Sequence, residues 1–134
     1  MVRIEHIGIA VENLEDSIAL YEQLLNTPCY KTETVETERV ATAFFQVGES
    51  KIELLQGSDA DSVITKFVAK KGQGIHHIAY EVENIQAEMK RLTALGFELL
   101  NTEPKKGADN KLVCFLHPKT SGGVLVELCQ EIRS

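Results

Sequence analysis

Residues 4–25, IEHIGIAVENLEDSIALYEQLL, lie over residues 75–96, IHHIAYEVENIQAEMKRLTALG, at a constant offset of 71 (75 − 4). Val11-Glu12-Asn13-Leu14 falls on Val82-Glu83-Asn84-Ile85, and His6 falls on His77. The ends of the two halves correspond as well: KIELLQ (51–56) matches LVELCQ (125–130), which places Glu53 on Glu127. The offset there is 74 (125 − 51), the three extra residues fitting a longer loop in the second half. A chain repeated in this way is constrained to fold as two copies of one supersecondary unit.

Each copy reads alike. A short strand runs into an asparagine, Asn13 or Asn84, suited to cap a helix by accepting from an orphan N–H. Apolar residues at Leu14, Ile18, Tyr21 and Leu25, and at Ile85, Met89, Leu92 and Leu95, then recur every three or four positions. That spacing makes one buried helical stripe. Pro28 follows the first helix and Gly96 ends the second. Three strands complete each half, predicted at 29–34, 38–47 and 50–56, then at 97–101, 111–116 and 123–130. Gly48 and the pair Gly122-Gly123 supply turns, and DSVITKFVAK reads as a linking helix with Val63, Ile64, Phe67 and Val68 on one side. The expected fold is α+β: two tandem βαβββ modules forming a concave, incompletely closed β-sheet cleft within a single domain. Module 1 covers about 3–57, the linking helix about 60–71 and module 2 about 74–130.

The adjacent histidines in GIHHIAYEVEN pose a choice, because neighbours on a strand point to opposite faces. Ile7, Ile9 and Val11 share one face, and His6, Gly8 and Ala10 the other; Ile78, Tyr80 and Val82 likewise oppose His77, Ala79 and Glu81. At the strand ends Ile52 and Leu54 oppose Glu53, and Val126 and Leu128 oppose Glu127. With the apolar faces packed on the helices, His6, Glu53, His77 and Glu127 are left on the other side, and His76 points away from it. Two imidazoles and two carboxylates in symmetric positions suit a divalent metal: imidazole favours zinc, cobalt and nickel, and carboxylate favours harder ions such as manganese.

Composition narrows the alternatives. The chain has 134 residues, 20 acidic and 14 basic, for a net charge of −6, which disfavours nonspecific binding to nucleic acid or anionic lipid. No apolar run approaches a membrane span, and strand-like sequence begins at once, so neither a membrane segment nor a signal peptide is expected. Three cysteines without CxxC spacing (Cys29, Cys114 and Cys129) suit a reducing cytoplasm.

The stretches IEHIGIAV, SKIELLQ, GIHHIAYEV, EPKKGADNK and FLHPKTSGGVLVEL resemble the vicinal oxygen chelate (glyoxalase/dioxygenase) superfamily. Within it the chain is most similar to the methylmalonyl-CoA epimerase family, His117-Pro118-Lys119 standing where a glyoxalase I carries a DPDG-type turn. The resemblance implies one divalent ion (Co²⁺, Zn²⁺, Mn²⁺ or Ni²⁺) on His6, Glu53, His77 and Glu127, a small acyl-CoA substrate and a homodimer. It implies a 1,1-proton transfer with Glu127 as one acid–base residue. Epimerases of this family can carry Gln at the position of Glu53 and a further, non-ligand glutamate near Thr42. Here no acidic residue lies between Arg39 and Glu49, so with no third acidic candidate in view the second proton-transfer role is expected to fall to Glu53. Lysines Lys105, Lys106, Lys111 and Lys119 are candidate partners for CoA phosphates, with Lys119 and Asn110 in the epimerase-like stretches as substrate contacts. A glyoxalase I-type lyase acting on a thiol hemithioacetal is the alternative activity.

Overall fold

The computed structural model describes residues 1–133. The chain forms two compact units, His6–His76 and Met1–Glu5 together with His77–Ser134. The repeat thus supplies one unit per half, except that the first residues of the chain group with the second half. Val2 N–H donates to the Glu81 carbonyl at 2.8 Å, and the Arg3 guanidinium sits 2.9 Å from the Glu81 carboxylate.

In the first half, β1 (Arg3–Ala10) and α1 (Leu14–Leu25) are followed by β2 (Lys31–Val35), β3 (Val40–Val47), β4 (Ser50–Gly57) and α2 (Val63–Lys71). The strands lie in the order β2-β3-β4-β1, with β1 and β4 parallel and the other pairs antiparallel. The second half repeats the plan: β5 (Gly74–Glu81), α3 (Ile85–Ala94), β6 (Lys105–Lys106), β7 (Lys111–Leu116) and β8 (Val126–Glu131), in the order β5-β8-β7-β6. This is the predicted α+β arrangement of two βαβββ modules.

The predicted faces hold. Val11, Ala43, Phe45 and Leu54 pack with Ile9 and Ile52 against Leu14, Ile18, Tyr21 and Leu25 of α1. Val82, Cys114, Leu116 and Leu128 pack against Ile85, Met89 and Leu92 of α3. Leu95 does not complete the second stripe: α3 stops at Ala94, Leu95 is left exposed, and Phe97 and Leu99 join the cluster after the positive-φ turn at Gly96. Val63, at the first turn of α2, is exposed too.

The face of the first-half strands opposite α1 is partly covered. The linking helix lays Ile64, Phe67 and Val68 over Ala10, Leu55 and Val40. Gly57 permits the close approach, since a Cβ there would lie 2.8 Å from the Thr65 backbone nitrogen. The predicted strand at 97–101 is reduced to a single bridge, Leu99 to Leu116. The Asn101 side chain takes the Phe115 N–H at 3.1 Å in place of a backbone partner, and the ladder resumes beyond Pro104 at Lys105–Lys106. The last strand starts at Val126 rather than 123, because Gly122 and Gly123 both adopt positive φ in the preceding turn.

Both asparagine caps form: Asn13 Oδ1 accepts from Asp16 N–H at 2.9 Å and Asn84 Oδ1 from Ala87 N–H at 3.0 Å. The repeat contains a second cap that sequence reading overlooked. Gln56 Oε1 accepts from Leu14 N–H at 2.6 Å, and Gln130 Oε1 from Ile85 N–H at 2.7 Å. The final residue of each KIELLQ-type strand therefore ties the sheet to the helix start of its own half, satisfying an orphan donor. Gln56→Ala and Gln130→Ala are each expected to lower the unfolding free energy by about 1 kcal/mol, read from the midpoint of a urea titration. An unchanged midpoint would mean that water replaces the side chain at no cost.

Candidate active site

Strand register builds the same row of side chains in each half. Gly8 pairs with Glu53, and Glu53 with Phe44; Ala79 pairs with Glu127, and Glu127 with Phe115. Cross-strand partners share a face, so each carboxylate stands between a small residue and a phenylalanine. The two phenylalanines are themselves 71 residues apart (115 − 44), so they too belong to the repeat.

Beside each carboxylate stands its histidine. His6 Nδ1 lies 3.0 Å from Glu53 Oε2, and His77 Nε2 lies 3.2 Å from Glu127 Oε1. All four residues are buried, none exposing more than 6% of its surface. Phe115 meets His77 edge-on, with ring centroids 5.6 Å apart and planes at 82°. A neutral imidazole offers one nitrogen lone pair, and an ionised carboxylate offers its oxygens. Each half thus presents one nitrogen and one oxygen donor in a low-dielectric setting, with one negative charge per pair when the imidazole is neutral. Burying such a charge is costly unless a cation balances it. The donor set fits a divalent ion.

The neighbouring histidine is used differently. His76 stands edge-on to Phe67 of α2, with centroids 4.9 Å apart and planes at 85°, so it packs the linking helix. Cys129 is fully buried with Ala79 and Val113, and Cys114 lies in the α3-side core, where burial pushes its thiol pKa up and keeps it protonated.

The candidate cations divide sharply. Lys105 pairs with Val113, in line with Cys129 and on the Glu127 face, whereas Lys106 pairs with Leu112 on the reverse face. Lys111 is almost buried on the Glu127 face, with Nζ 3.5 Å from the Glu131 carboxylate. Lys119 is exposed on a 3-10 turn at Pro118–Thr120, paired to Glu98 at 3.0 Å. Asn110, with φ of 55°, directs its side-chain amide to the Ile132 carbonyl at 3.4 Å. Asn110 precedes β7 and Lys119 follows it, so the two candidate contacts flank opposite ends of that strand. Thr42 is buried at 1% exposure; it pairs with Leu55 on one side and with Glu33 on the other.

The Glyoxalase/Bleomycin resistance protein/Dioxygenase superfamily model matches residues 5–115. The chain belongs to that superfamily. Among its relatives is the Bacillus subtilis uncharacterized protein YqjC, 41% identical over 97% of this chain and 93% of the relative. The ethylmalonyl-CoA/methylmalonyl-CoA epimerase of Cereibacter sphaeroides is 42% identical over 96% of this chain and 97% of its own length. The solved structure of Streptomyces coelicolor methylmalonyl-CoA epimerase with 2-nitronate-propionyl-CoA matches with a TM-score of 0.94 at 33% identity, covering 98% of this chain and 95% of that one. The fold is that of this superfamily, and the characterised relatives are epimerases, a class of isomerase. Among the described residues no helix is long and apolar enough to cross a membrane.

Proposed function

We propose that this chain is a methylmalonyl-CoA epimerase, interconverting the (R) and (S) forms by 1,1-proton transfer through an enolate. The observation that carries the reading is the pair of buried His–Glu couples at repeat-equivalent positions, in a chain whose relatives act as epimerases on acyl-CoA thioesters. His6, Glu53, His77 and Glu127 would hold one divalent ion, which when bound would supply electrostatic stabilisation to negative charge on the substrate carbonyl oxygen. The two couples bring two negative charges, which such an ion balances.

The remaining work falls to protein groups. The reacting proton sits between a thioester and a carboxylate, and a base on one side of that carbon must remove it while an acid on the other side returns one. Positioned acid–base groups of this kind contribute about 10²–10⁴ each in rate. Glu127 is assigned to one side, and Glu53 is the first candidate for the other. Gly8 and Ala79 set the smallest side chains beside these carboxylates, and Phe44 and Phe115 stand on their other flank. Lys105 and Lys111, on the Glu127 face, are better placed for anionic parts of the substrate than Lys106, with Lys119 and Asn110 as further contacts. A cytoplasmic homodimer completes the proposal.

One feature favours a second reading, a glyoxalase I-type isomerisation of a thiol hemithioacetal: a carboxylate at Glu53, where epimerases of this family can carry glutamine. The test is metal analysis of the purified protein combined with deuterium incorporation in D₂O. Uptake at C2 of methylmalonyl-CoA with inversion supports the epimerase. Turnover of the glutathione hemithioacetal without such uptake supports the lyase.

A further inference from the structure

We infer that Glu33 is the acid–base residue on the second side of the substrate, leaving Glu53 to hold the cation. The inference rests on the epimerase reading and moves the second proton-transfer role from Glu53 to Glu33. Register places Glu33 opposite Thr42, and Thr42 opposite Leu55, so these three share the face of Glu53. Lys31 and Phe44 occupy the adjoining row, next to Glu53 itself. Of the strand residues that register aligns on this face of β2, β3 and β4, only Glu53 and Glu33 are acidic.

Two properties separate them. Glu53 is buried and in contact with His6 at 3.0 Å, which suits a ligand. The Glu33 side chain is 34% exposed and is held by Lys31, whose Nζ lies 3.8 Å from its carboxylate and 4.6 Å from the centre of the Phe44 ring. The lysine anchors Glu33 along the ring that adjoins Glu53. Partial exposure matters for turnover. Each inversion leaves one carboxyl protonated and the other ionised, and a partly exposed Glu33 can reset by direct exchange with water.

The step balances with groups already named. Glu33 takes the C2 proton: the C–H bond breaks, an O–H bond forms, and the electron pair moves into the thioester carbonyl. The Glu127 carboxyl then loses its proton to the other side of C2 as the electron pair returns to form the new C–H bond. The reverse reaction exchanges the two roles.

The test compares wild type, Glu33→Gln and Glu33→Asp by a chiral assay of both isomers and by deuterium uptake in recovered starting material. Glu33→Gln is expected to lose at least about 10²-fold in epimerisation while keeping its metal content and melting temperature. One isomer should still acquire deuterium with retained configuration, because Glu127 continues to exchange its own proton. Glu33→Asp should recover part of the epimerisation. Wild-type rates in Glu33→Gln, or equal loss of exchange from both isomers, would overturn the assignment while leaving the epimerase reading in place. A wild-type protein that neither epimerises nor exchanges would remove both.

Discussion

Glu127→Gln is expected to lower epimerisation by about 10²–10⁴-fold, the worth of one positioned acid–base group, in a protein that still folds. Glutamine matches glutamate in shape, so the Ala79–Glu127–Phe115 row can still pack, and its amide oxygen can still approach a cation. What it cannot do is carry a proton. The discriminating measurement is turnover alongside bound metal. Low turnover with metal retained identifies Glu127 as an acid–base residue. Substantial turnover with metal retained reduces it to a ligand and moves the proton transfer to another group.

Removing the metal should have an effect of comparable size on both activity and stability. Dialysis against a chelator is expected to abolish epimerisation, and readdition of Co²⁺, Zn²⁺, Mn²⁺ or Ni²⁺ to restore it. It should also lower the melting temperature. An ion that binds the folded chain alone, at 100 times its dissociation constant, stabilises it by about 2.7 kcal/mol. Without the ion, Glu53 and Glu127 remain as two buried carboxylates, each beside an imidazole that balances it only when protonated. His6→Ala and His77→Ala should each abolish the metal-dependent shift in melting temperature, because each removes a nitrogen donor from one couple. A melting temperature indifferent to chelator and to both substitutions would remove the metal from the proposal. Calorimetry with and without the ion reads this directly and does not depend on any assumed substrate.

Much of the architecture could be read from local pattern. The 71-residue repeat, the caps at Asn13 and Asn84 and the apolar stripes of α1 and α3 all depend on spacings of a few residues, which backbone geometry translates directly. Alternation along β1 and β5 likewise chose His77 over His76, because a strand offers only two faces. Where the reading failed, a distant partner had intervened. The linking helix covered the Ala10–Leu55 face, Asn101 replaced a ladder bond, and Leu95 lost its place to Phe97 and Leu99.

The sequence by itself determined the duplicated unit, its helix-facing cores and the membership of the His–Glu couples, since periodicity and repetition are properties of the chain read in order. Only tertiary structure decided that Phe44 and Phe115 flank the carboxylates, that Lys105 rather than Lys106 shares the face of Glu127, and that Glu33 shares the face of Glu53. Those facts belong to strand register. Register is set by which residues of separate strands hydrogen-bond side by side, and a shift of one position would send every one of these side chains to the opposite face.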